Sequence, residues 1–234
     1  MKGMLATLIG VTMLIVPGIA PAQNAVTDWN SIAVTTALAG NSIIPPNSPN
    51  GTALYLAYVH LAIHDAVKAI EHRFKPYGPS IVAPTGASPE AAAITAAYTM
   101  LQYHFPNQAG ALTVQYSASL AALPNNGKAD GVAVGVAAAS QIIAMRANDG
   151  RGVSIGYTYP QVPTPGVWIP TPPAFAPPIT PWMSQMVPFT MRSASQFFPE
   201  PPPLLASAEW ADDFNQVKAL GAVNSTLRTP SKLK

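Results

Sequence analysis

From Val26 to about Asn148 apolar residues recur at the three- and four-residue spacing of a buried helical face, and the breaks between these runs carry stop and start signals. Asp28 can cap a first helix through about Leu38, with Gly40 as its stop. A turn cluster covers Asn47 to Gly51, and Thr52 opens a long helix to about Glu71. Ser88-Pro89-Glu90 is the strongest start in the chain: the serine caps, proline suits the first helical position, and the glutamate meets the positive end of the dipole. That helix reaches about His104 and stops at Phe105-Pro106. Further helices are predicted over Gln108 to Leu123, Lys128 to Ala147 and Ser207 to Leu220. No segment alternates with the period of two that a strand needs. Gly131, Gly135 and Ala137 to Ala139 predict helices whose backbones approach closely.

The pattern changes near Gly150. Of the 26 prolines, 14 lie between Gly150 and Leu205. Proline removes an amide donor and clashes with the preceding turn, so the interior of this stretch is not expected to be helical. Its prolines alternate with Tyr157, Tyr159, Trp168, Phe175, Trp182, Phe189 and Phe197. Disordered linkers are poor in aromatics, so the expectation is an ordered, extended wrap on a helical surface. The domain plan is a leader at 1–22, an Ala-rich helical bundle at 23–149, the proline/aromatic segment at 150–205, and a short helix with a tail at 206–234.

The leader rests on Lys2, the apolar stretch from Met4 to Val16, the break at Pro17-Gly18, and small residues at Ala20 and Ala22. Cleavage is expected before Gln23, which makes the protein exported, either periplasmic or secreted. The apolar run is short for a membrane span, and no later run is expected to be long enough. Only 9% of residues are charged and the net charge is +2. That balance gives no basic stripe for nucleic acid. The absence of cysteine excludes disulfides, thiolate metal sites and cysteine nucleophiles.

Candidate chemistry is sparse. His60 and His64 lie one helical turn apart, a spacing that can hold a metal. A zinc-protease helix also needs a glutamate beside the first histidine, and Leu61 stands there. Asp65 points about 100° away from His64 on a helix, and His72 continues the spacing with drift. The pair reads better as packed, hydrogen-bonded helix residues. Asp212-Asp213 suits the first turn of the last helix. The run Asn148 to Gly152 (NDGRG) resembles a piece of a calcium loop without its spaced acids, and reads as a helix stop and turn. No nucleophile elbow and no phosphate-binding glycine loop occur.

Six segments in order carry a resemblance. They are Tyr58–Ile70 (YVHLAIHDAVKAI), Ala87–Ala93 (ASPEAAA), Ser119–Pro124 (SLAALP), Gly166–Pro173 (GVWIPTPP), Gln196–Pro203 (QFFPEPPP) and Phe214–Gly221 (FNQVKALG). Together they resemble the N-terminal part of the bacterial vanadium-dependent haloperoxidases and the related type-2 phosphatidic acid phosphatase superfamily. The resemblance implies an all-α bundle with a proline-rich extended segment wrapped on it. It also implies chemistry that lies further toward the C-terminus. In complete members a lysine and an arginine of one motif, a Pro-Ser-Gly-His segment, and an arginine with a downstream histidine hold vanadate or phosphate. Several cationic donors hold the oxyanion, and imidazoles supply the covalent bond or the acid-base group.

None of those motifs occurs here: there is no Ser-Gly-His tripeptide, and all four histidines precede residue 105. Arg228 and Lys232 therefore receive no catalytic role, and no catalytic, cofactor-binding or metal residue is carried over. The expectation is a truncated, incomplete haloperoxidase-like protein, inactive alone and without a cofactor in this chain. Its partner would be a second chain supplying the missing C-terminal half, or another copy of itself. The alternatives are an exported helical scaffold or binding protein, and a helical metal protein using His60 and His64.

Overall fold

The computed structural model describes residues 24–40, 49–156, 158–160 and 164–228. The leader, Asn47 and Ser48 of the turn cluster, Tyr157 and Lys232 lie outside the described residues. Among the described residues there are six α-helices, two short 3-10 helices and no strand. Two compact units form: Met1–Asn47 with Thr52–Ala144, and Ser48–Gly51 with Met145–Lys234.

The first unit is organised on α3 (Pro89–His104). Ser88 caps it by accepting a bond from the amide of Ala91 at 3.1 Å, and Glu90 lies in its first turn. Ten of its residues are buried, from Ala91 to His104. A helix apolar all round is stable only when surrounded, and α1 (Ala25–Ala39) and α4 (Ala109–Ala121) both pack on it. α5 (Lys128–Met145) approaches closer still. A Cβ on Gly135 would stand 2.5 Å from the carbonyl oxygen of Ala92, and one on Gly131 would overlap that of Ser88. These two glycines let backbone touch backbone. α2 (Pro49–Glu71) reaches α3 through Tyr58, whose ring stacks on His104 at 5.2 Å.

Several boundaries move. The cap of α1 is Asn24, which accepts from the amide of Val26 at 2.8 Å, and Asp28 sits inside the first turn. Both residue types can cap; starting earlier brings Trp29 onto the buried face with Ala33, Thr36 and Ala37. α2 begins at Pro49 because proline is tolerated at the first position. A 3-10 turn, Pro106–Gln108, precedes α4. α5 ends at Met145 and, contrary to expectation, is long and apolar enough to cross a membrane, with about a third of its length buried. Its hydropathy is carried by many small residues rather than by a run of large ones, which hides it in the sequence.

In the second unit the described residues of the proline-rich segment (150–156, 158–160 and 164–205) form extended chain and turns, with one 3-10 helix, Pro181–Gln185, started by its proline. Trp182 is its buried anchor. α6 (Ala208–Gly221) is capped by Ser207, which accepts from the amide of Trp210, and it buries no residue.

Candidate functional site

The densest set of polar groups in the first unit lies along α2 and the turn after it. His60 Nε2 lies 2.9 Å from Asn30 Oδ1, and His64 Nε2 donates to the carbonyl of Lys75 at 2.9 Å. The two imidazole tips therefore go to separate partners, one on α1 and one in the loop. Among the described residues no group of three or more metal-ligating side chains gathers. His72 leaves the helix with φ 58° and donates its amide to the carbonyl of Lys68, a left-handed cap that ends α2. It does not share the face of the other two.

Asp65 is buried, and its two oxygens accept from the amides of Tyr77 and Gly78 at 2.7 and 2.8 Å. The carboxylate thus folds the loop 72–78 back on α2. His104 is buried as well, within 5.2 Å of the rings of Tyr55, Tyr58 and Tyr103. Sequence reasoning assigned neither role, although an aspartate inside an apolar helical run is itself a signal, since a buried carboxylate needs donors.

A cavity of about 270 Å³ opens beside this face. Val26, Ile63 and Val67 form its apolar floor; His60 and His64 line it too, with Lys68, Glu71, Arg73 and Phe74. Cations and imidazoles do share one site here, a grouping the sequence did not suggest.

In the second unit the NDGRG run is a turn held by a buried ion pair. Arg146 Nε donates to Asp149 Oδ2 at 3.0 Å, and its Nη2 donates to the carbonyl of Val187 at 2.7 Å. The guanidinium lies 4.2 Å over the ring of Phe189. Asp149 Oδ1 accepts from the amide of Arg151, so both carboxylate oxygens are engaged by protein and none faces a metal. Asp212 and Asp213 are exposed and lie beyond the first turn of α6, in which they were expected; with Ser207 as the cap, Glu209 is the acidic residue of that turn.

No family model and no curated protein matches the sequence. A solved structure does: that of a bacterial vanadium-dependent iodoperoxidase, with TM-score 0.64 and 23% identity over 82% of this chain. The fold is haloperoxidase-like. The chain spans 49% of that protein's length, so this haloperoxidase-like fold corresponds to about half of the larger molecule.

The iodoperoxidase is vanadium-dependent; in this chain the cavity beside α2 is where cations and imidazoles meet. The residues do not suit vanadate. Nε2 of each histidine is engaged elsewhere, and Glu71 adds a negative charge, bonded to Arg73 at 3.9 Å. A multiply charged oxyanion needs several converging donors without an opposing carboxylate.

Proposed function

We propose that this chain is the helical scaffold half of a haloperoxidase-like or phosphatase-like protein, exported, and without halide-oxidising or phosphatase activity of its own. The oxyanion ligands come from sequence outside these 234 residues, and a second chain is the partner to test for them. The length relation to the iodoperoxidase and the missing Ser-Gly-His motif both support this reading. The observation that carries it is apolar surface left in water. On α6 Trp210 stacks on Phe214 at 5.3 Å, and Val217 follows one turn later; Phe214 and Val217 are exposed. Phe197, Phe198, Leu204 and Leu205 are exposed beside a chain of prolines. Covering one such side chain stabilises by about 1.5–3 kcal/mol, so apolar side chains exposed in this number favour an interface.

The experiment has two arms. The purified 234-residue chain with orthovanadate, peroxide and iodide or bromide is expected to oxidise no halide, and to leave p-nitrophenyl phosphate intact. Co-expression with a chain carrying a Pro-Ser-Gly-His segment, sought first in the adjacent reading frame, is expected to give a complex with vanadate-dependent activity and reduced binding of a hydrophobic dye. Vanadate-dependent oxidation by the pure chain overturns the reading. So does a sharply melting monomer that binds no dye, which favours a stand-alone exported binding protein. Export is checked by the mass of the mature protein, expected to begin at Gln23.

A further inference from the structure

We propose that the cavity beside α2 binds a small organic monocarboxylate with an apolar body, an aryl or branched-chain acid. The inference uses the first unit alone and does not rest on the proposed function.

Charge comes first. Lys68 is half-buried at the cavity wall, and among the described residues no carboxylate or other acceptor bonds its ammonium. Arg73 and Glu71 offset each other at 3.9 Å. With neutral imidazoles the lining carries +1 (Lys68 and Arg73 against Glu71), which suits a monoanion. Phosphate as its dianion would bring a second charge toward Glu71, with Lys68 the one lining cation among the described residues that is not offset.

Shape selects the rest of the ligand. A cavity of roughly 150 Å³ accommodates benzene, so about 270 Å³ leaves room for a ring and its carboxylate. Ile63 and Val67 give an apolar floor. Phe74 lines the cavity and remains 65% exposed. His64 lies 6.5 Å from that ring at a tilt of 40°, and the Arg73 guanidinium lies 5.8 Å from its centroid. An aryl ring against Phe74 would share the cavity with Lys68, whose ammonium has no partner among the described residues.

The test titrates the full chain with benzoate and with its neutral isostere benzamide, read by calorimetry and by saturation transfer to the ligand ring. Benzoate is expected to bind about tenfold more tightly than benzamide, the charge-assisted bond being the difference. Lys68→Gln is expected to erase that difference while leaving the helical circular dichroism unchanged, and Lys68→Arg to restore most of it. Phe74→Ala is expected to weaken both ligands. Equal binding of benzoate and benzamide by the parent chain overturns the proposal. So does unchanged benzoate affinity in Lys68→Gln and Phe74→Ala, or displacement of benzoate by equimolar orthovanadate.

Discussion

Met100, Leu101 and Ile142 are sealed from solvent in the first unit, whereas Phe197, Phe198 and Leu204 in the second are each more than 70% exposed. The side chains are alike in size and hydropathy; what differs is the backbone that presents them. α3 offers apolar residues on every side and is met by α1, α4 and α5, so each large residue finds neighbours. The proline-rich chain offers its residues from extended segments and turns, and one 3-10 helix with Trp182 is the part that closes on itself. Hydrophobic content alone does not make a core. Periodic presentation does, and the second unit relies on particular polar contacts instead.

That contrast can be broken in graded steps. The largest effect is expected at Asp149→Ala. It strips the buried Arg146 guanidinium of its carboxylate, a loss of about 3–5 kcal/mol. Hydrogen exchange should show residues 145–190 opening while α3 stays protected; unchanged protection would show that the second unit has a core of its own. Met100→Ala, in the middle of α3, should cost about 2–5 kcal/mol in the thermal transition of the first unit. Ser88→Ala removes the cap bond to Ala91, a loss of about 1 kcal/mol by denaturant titration. Smallest is the pair Phe197→Ser and Phe198→Ser, whose effect on stability should stay within about 0.5 kcal/mol. Hydrophobic-dye fluorescence should nevertheless fall, and a large loss of stability there would mean that those rings are covered in solution.

What the sequence revealed follows the same division. Helices announced by a local signal were legible: Ser88-Pro89-Glu90 starts α3 and Ser207 starts α6, each through a bond to a residue three positions on. The start of α1 was misplaced because Asn24 and Asp28 are both good caps, and only the burial of Trp29 decides between them. The site was less legible. Asp65 finds its donors at Tyr77 and Gly78, and Arg146 finds its acceptors at Val187 and Pro188. No periodicity reports contacts of that range. The His60 and His64 spacing was visible, but the direction of their rings depends on Asn30 and on the loop carbonyl of Lys75. Lys68 and Phe74 carry no local sequence signal; both line one cavity beside the turn led by His72.

Gln108 has a consequence for the order in which the chain takes shape. Its amide nitrogen donates to the carbonyls of Thr36 and Gly40 at 2.9 and 2.8 Å, closing the end of α1 from a turn some seventy positions later. During synthesis α1 is made early, yet its bonds from Gln108 to Thr36 and Gly40 form only once that glutamine has emerged. A nascent chain halted before residue 108 should keep a frayed first helix, and one that includes it should hold that helix to its final turn.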